Sequence, residues 1–236
     1  MQRVTLILWD IDHTLMETAG VGGEVYASAF QKATGRPLER MADVAGRTEP
    51  VIFRETLKLH RIDDPGDLFE RFAEEQARGY AERADDMRKR GRALPGAADA
   101  LRILSDRDDV IQSVLTGNTR PSAEIKLHVF GLDSYLDLEI GAYGTDDDTR
   151  ANLVNIARQR AASAQGIQFG HETTVLIGDT PNDVVAARDG AARVIAVATG
   201  KDSIDGLAAA GADTVFADLT DTPALLAAIY GDQTPR

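Results

Sequence analysis

Leu6–Leu15 reads LILWDIDHTL. The unbroken apolar run has the character of a core strand, buried on both faces as strands of a helix-covered parallel sheet are. It stops at Asp10, and a second acid, Asp12, follows two positions later. Along an extended segment, residues two apart leave on the same side, so both carboxylates share one face while Ile11 points away. A chain that sets two acids at the mouth of a core strand has placed costly groups where a scaffold alone would not need them.

Further along, short β-rich runs alternate with helical patterns. The strand candidates are Val4–Trp9, Val110–Thr116, Leu136–Gly141, Thr173–Gly178, Arg193–Thr199 and Asp213–Ala217. Helical patterns at Gly96–Ser105, Pro121–Phe130, Arg150–Ala164, Pro181–Asp189, Ile204–Ala210 and Pro223–Tyr230 lie between or after them. That alternation predicts an α/β fold, a parallel sheet covered by helices. Several helices begin at proline or just after Thr or Asp, as helix N-termini prefer. From Glu17 to Arg92 there is no convincing strand, only amphipathic stretches such as GGEVYASAFQKATG (22–35) and DLFERFAEEQARGYAERADDMRKRG (67–91). Glycine-bearing joints, TAGVGG (18–23) and RGRALPG (90–96), bracket it. An insertion of that size after the first strand predicts a separate helical domain on two hinges. The boundaries expected are 1–16 with 93–236 for the sheet domain and 17–92 for the insert. The final GDQTPR, 231–236, reads as a frayed tail.

Composition narrows the partners. The chain has 236 residues, 43% hydrophobic, enough for one or two compact domains. With no cysteine there are no disulfides or thiolate metal sites. No apolar run approaches the roughly 20 residues needed to span a bilayer, and no signal-type segment opens the chain, so a soluble, cytoplasmic protein without a membrane partner is expected. A net charge of −12 disfavours nucleic acid, whose phosphates need a basic surface. It also repels anionic ligands at long range, so a site for one requires local cations or a bound metal.

Ligands of an open parallel sheet bind beyond the carboxyl ends of its strands. Asp10 and Asp12 stand after the first strand, Thr116, Gly117 and Asn118 after the second, and Asp179 after the fourth, with Asp183 four residues on. Carboxylates gathered without thiols or well-placed histidines point to a hard cation, Mg²⁺ being the usual choice. Any one of them has a plain explanation, since Asp179 alone could cap the helix that starts near Pro181. Three strand ends delivering such groups to one rim do not.

DIDHTL (10–15), LTGN (115–118) and IGDTPNDVVAARDG (177–190) resemble three motifs of the haloacid dehalogenase-like hydrolases. The resemblance spans the chain and falls in the helical-capped branch that holds phosphoglycolate phosphatase and β-phosphoglucomutase. It implies a Rossmann-like three-layer α/β/α core with an inserted helical cap, and a Mg²⁺-dependent phosphatase for a small phosphorylated metabolite. It implies Asp10 as nucleophile, forming an aspartyl-phosphate, and Asp12 as acid and then base. Asp10, the Asp12 carbonyl and Asp179 would hold Mg²⁺, with Asp183 supporting it directly or through water. Thr116, with the backbone of Gly117 and Asn118, would bind phosphoryl oxygens.

The chain departs from the resemblance at two places. The family's third motif carries a lysine after the third strand, and GAYGTDDDTRANL (141–153) has none. Lys126 is the only lysine between Lys89 and Lys201, and its side chain, leaning toward its helix's N-terminus, could supply the charge. Arg150 competes for that role, with Arg120 behind it. His13 stands where relatives carry glycine, either as a substrate contact or as a tolerated change in the turn. Thr14 is expected to brace the loop, and AGRTEP (45–50) would bring Arg47 to a distal anionic group of the substrate. His60, His128 and His171 read as surface or packing residues. A second acid in the first motif argues against a dehalogenase. A phosphomutase, or a silent binding module on the same fold, is the alternative, and the expected assembly is a monomer or weak homodimer.

Overall fold

The computed structural model describes residues 4–64 and 66–231, so the expected tail lies, but for Gly231, outside the described residues. The apolar run forms β1, Thr5–Trp9, with every residue buried. It sits second in a five-stranded sheet with β4 (Val110–Val114), β5 (Thr174–Gly178), β6 (Arg193–Val197) and β7 (Thr214–Phe216), ordered β4-β1-β5-β6-β7. All the pairings are parallel, and Trp9 lies opposite both Val114 and Ile177. That register ends three strands at one level and brings the loops beyond them side by side.

The two faces of the sheet read directly from alternation. Ile7 and Trp9 face a core made with α5 (Ala97–Ser105), α6 (Arg120–Val129) and α10 (Thr222–Tyr230). Leu6 and Leu8 face another made with α7 (Arg150–Gln165), α8 (Pro181–Asp189) and α9 (Ile204–Ala209). The expected three-layer α/β/α architecture is the one observed. No described helix is long and apolar enough to cross a membrane.

One expected strand does not form. Leu136–Gly141 lies beside β4 but is irregular, and a single bridge, Leu115 to Ala142, stands in its place. The apolar alternation of LDLEIG carries acids at its polar positions. The Asp137 carboxylate accepts from the Glu139 N–H at 3.1 Å, an Asx turn that bends the chain out of the ladder. Ser113 and Gln112 then hold the bent segment by its Asp137 backbone.

The long segment between β1 and β4 is mainly helical: α1 (Val21–Thr34), α2 (Glu49–Leu59), α3 (Leu68–Glu82) and α4 (Ala84–Arg90) precede α5. Just before the first joint and within the second, the chain pairs as short antiparallel strands, β2 (Met16–Glu17) and β3 (Arg92–Ala93), which the sequence pattern did not disclose. The insert has its own core, in which Phe53 stacks on Phe72 at 4.5 Å and Tyr26 and Phe30 pack alongside. His60 is a packing residue of it. Its Nδ1 lies 2.8 Å from the Thr56 carbonyl and its Nε2 accepts from the Glu39 N–H, which ties the irregular segment before α2 to that helix. His128 and His171 are exposed.

Gln112 is a buried polar group of the sheet. It accepts from the Trp9 indole at 3.1 Å and donates to the Leu101 carbonyl at 2.9 Å. Replacing it with leucine orphans both partners, so Gln112→Leu is expected to cost about 2 kcal/mol and lower Tm by about 4–8 °C. An unchanged thermal midpoint would show that neither bond matters to stability.

Candidate active site

β1 passes its ladder one residue further, the Asp10 N–H donating to the Ile177 carbonyl at 2.8 Å. Ile11 is fully buried beneath, and Asp10 and Asp12 both line one cavity of about 480 Å³. A tight turn comes next, closed by the His13 N–H on the Met16 carbonyl. His13 has φ 63°, the left-handed conformation that glycine adopts without strain. Its side chain is exposed and lines the cavity. Thr14 is buried and donates to Asp179 Oδ1 at 3.3 Å, bracing the turn against the end of β5.

Both candidate cations reach the acids. Lys126 lies on α6, buried, with Nζ 2.9 Å from each Asp12 oxygen and 2.7 Å from Asn118 Oδ1. Arg150 opens α7, buried, with Nη2 2.7 Å from Asp10 Oδ1 and Nε 2.8 Å from Asp183 Oδ1. Lysine and arginine divide the work, one per catalytic candidate. Arg120 stays at the surface with Glu124 and Glu139.

Asn118 acts as a hub. Its amide donates to Asp12 Oδ2 at 2.8 Å and to Thr116 Oγ1 at 2.7 Å, while its carbonyl receives Lys126. The Asn118 N–H turns to Thr116 Oγ1 instead of the cavity. With its oxygen already accepting, the Thr116 hydroxyl keeps its proton to donate. Asp10 Oδ2 receives no hydrogen bond among the described residues and remains open on the cavity side.

Asp10, Asp179 and Asp183 bring one oxygen each within 4.8 Å of one another. Asp183 is already engaged: Oδ1 takes Arg150, and Oδ2 takes the Thr180 N–H and hydroxyl in a capping box that starts α8. Asp179 is crowded from above, since a Cβ on Gly200 would lie 1.9 Å from its Oδ2. The cluster consists wholly of hard oxygen donors, the set Mg²⁺ takes. Three carboxylates against Arg150 leave two negative charges uncompensated, the charge of one divalent ion.

Electrostatics agree. Burial, reinforced by Asp183 and Asp12, outweighs Arg150 and raises Asp10 from 3.8 to about 7. Burial, Asp10 and Asp183 push Asp179 up to about 8. Desolvation also works against an ionised Asp12, but there Lys126 and Asn118 prevail and hold its carboxyl below the ordinary range.

The helical insert forms the opposite wall. The Gly117 carbonyl accepts from the Glu49 N–H at 2.8 Å, and a Cβ on Gly117 would meet the Arg47 carbonyl at 2.0 Å. Asn182 donates to the Ala45 carbonyl at 2.7 Å. Arg47 lines the cavity, but its guanidinium is paired with Glu55 at 3.1 Å. Sequence reasoning missed Glu49, Gln76, Tyr80 and Lys201, which also line the cavity. A signal existed for Gln76: Leu68, Phe72, Gln76 and Tyr80 recur every four residues as the buried face of α3, and one of them is polar.

The sequence profile of the haloacid dehalogenase-like hydrolases matches residues 7–188. No curated protein matches the chain. Among solved structures, a hydrolase from Pseudomonas syringae superposes with TM-score 0.68 at 21% identity, covering 93% of this chain and 96% of that one. A "predicted phosphoglycolate phosphatase" from Haemophilus somnus gives 0.67 at 18%, covering 95% and 99%. CbbY from Rhodobacter sphaeroides, in complex with phosphate, gives 0.66 at 19%, covering 92% and 96%. At these identities the likeness is one of fold.

Because Asp10 and Asp179 bind a proton more tightly in the fold than at the 3.8 of an ordinary aspartate, the metal-free protein loses stability as pH rises from about 4 to about 8. A divalent cation that offsets their charge must stabilise more as pH climbs through that window. The rise in Tm caused by millimolar Mg²⁺ is therefore expected to be larger at pH 8 than at pH 5.5. A rise equal at both values would show that these carboxylates do not receive the ion.

Proposed function

The chain belongs to the haloacid dehalogenase-like hydrolases, and on that premise we propose that it is a Mg²⁺-dependent phosphatase of a small phosphorylated metabolite, working through a phosphorylated Asp10. The observation that carries this reading is the division of cations. Arg150 holds one oxygen of Asp10 and leaves the other open to the cavity, while Lys126 and Asn118 fix Asp12 beside it.

In this reading Asp10 Oδ2 attacks phosphorus as the bond to the leaving oxygen breaks, and Asp12 gives that oxygen its proton. Lys126 keeps Asp12 ionised in the free protein; an arriving phosphate anion makes proton uptake on Asp12 easier by like-charge repulsion. Asp12 then takes a proton from water, which attacks phosphorus, releases phosphate and restores Asp10. Thr116 donates its hydroxyl to a phosphoryl oxygen, joined by the Gly117 N–H. Mg²⁺, when held by Asp10, the Asp12 carbonyl and Asp179, supplies positive charge to the phosphoryl oxygens. With both its oxygens taken, Asp183 serves by fixing Arg150 and the start of α8. The helical insert, residues 17–92, acts as a cap that shuts the cavity from water; Arg47 on it stays paired with Glu55, and His13 approaches the leaving group from the sheet side.

Phosphate release from p-nitrophenyl phosphate and a panel of phosphate monoesters, with Mg²⁺ and with EDTA, tests the reading. Release is expected to require metal and to fall at least about 10³-fold in Asp10→Asn. Lys126→Ala and Arg150→Ala are each expected to lower kcat by about 10²-fold, as loss of a preorganised charge at the reacting group does. Release that persists in EDTA or in Asp10→Asn would overturn the mechanism, and isomerisation of a sugar phosphate without release would make the protein a mutase.

A further inference from the structure

One buried charge in the cavity has no part in that chemistry. Glu49 is the first residue of α2, 8% exposed, and lines the cavity from the insert side. Its backbone is seated on Gly117, one residue from Thr116 and Asn118, and its carboxylate lies within the electrostatic reach of Lys126 and Asp12.

The carboxylate is aimed. Oε1 accepts from Gln76 Nε2 at 2.8 Å, and Gln76 Oε1 accepts from the Ser122 hydroxyl at 3.3 Å, itself an acceptor for Thr119 at 3.0 Å. A relay from α6 of the sheet domain thus sets the orientation of an acid on the insert. Oε2 has no donor among the described residues; burial raises the Glu49 carboxyl above its ordinary range, while the Lys126 charge and the Gln76 bond act to keep it ionised. The cations around the cavity are otherwise committed: Lys126 to Asp12, Arg150 to Asp10 and Asp183, Arg47 to Glu55. Lys201 lies at the edge, exposed.

We infer that Glu49 determines specificity, accepting hydroxyl donors of a polyol or sugar leaving group through Oε2 and rejecting a leaving group that carries a carboxylate. The inference rests on the phosphatase reading above and chooses between two substrate classes that reading admits. A hydroxyl supplies a donor to an acceptor that has none among the described residues. A second carboxylate set against Glu49, with no uncommitted cation at that depth, would force one of the two acids to take up a proton. Tyr26 and Ile52, on the same wall, add apolar surface for the carbon skeleton.

The test compares kcat/KM with Mg²⁺ for sugar and polyol monophosphates against phosphoglycolate, with p-nitrophenyl phosphate as the reference ester, in the wild type and in Glu49→Gln. The wild type is expected to favour the hydroxylated esters at least tenfold, and Glu49→Gln to shrink that ratio at least tenfold. Should Glu49→Gln not accumulate folded, Gln76→Met, which releases the carboxylate from its aim, is expected to shrink the same ratio. A ratio unmoved by substitution, or a preference for phosphoglycolate or for an amine-bearing ester, overturns the assignment while p-nitrophenyl phosphate turnover leaves the phosphatase reading standing. Failure of the wild type to hydrolyse every ester, p-nitrophenyl phosphate included, overturns that reading and the assignment with it.

Discussion

Arg150 and the two carboxylates it bridges, Asp10 and Asp183, are the interaction on which the site depends. All three are buried, and Asp179 adds a further acid against them. Like charges at that spacing in a poorly solvated rim repel strongly, and a lone guanidinium offsets only one of three. Burial, with that residual imbalance added to it, raises Asp10 and Asp179 but not Asp12, which has a lysine to itself. The cluster is therefore arranged at a cost to the metal-free fold, and the proposed ion and substrate are what relieve it.

The rest of the fold makes that arrangement possible. Parallel register ends β1, β4 and β5 at one level, so three loops from distant parts of the chain emerge together. Each loop is then fixed by a local device: the buried Ile11 between two acids, the Asn118 amide beneath Thr116, the Thr180 capping box behind Asp179. None of these devices tolerates much added bulk. Gly178 faces Asp183, and a Cβ there would approach its Cγ to 2.4 Å.

How much of this was legible in the sequence depends on the kind of signal each feature leaves. Strands, layers and the rim residues were readable because burial on both faces leaves unbroken apolar runs, and because acids at strand ends contradict them. The failed strand at Leu136–Gly141 shows the limit of period alone: Asp137 fits the polar slot of an alternation and equally well the first position of an Asx turn, and only the neighbouring chain decides. Whether Lys126 or Arg150 enters the site could not be decided from spacing, since the answer was both, and each needed a different helix to be placed. Glu49 and Gln76 were the hardest to see. A glutamate in the first turn of a helix normally reads as favourable to its dipole, and nothing local reveals that this turn is pressed against Gly117.

That pressing also bears on how an acidic protein could hold an anion. With a net charge of −12, attraction at a distance does not help, and Lys126 and Arg150 are bound to acids before any ligand arrives. Affinity must then come from contacts made at short range, from hydroxyl and backbone donors and the proposed ion. Such contacts gain their strength when water is shut out, so under the proposed function the insert's seat on Gly117 would be part of the binding energy and not only a lid. In the proposed reading the same closure would bring Glu49 toward the leaving group. In this arrangement the element that excludes water is also the one that reads the substrate, so a molecule that cannot satisfy Glu49 also fails to favour the closed form in which the acids are set to act.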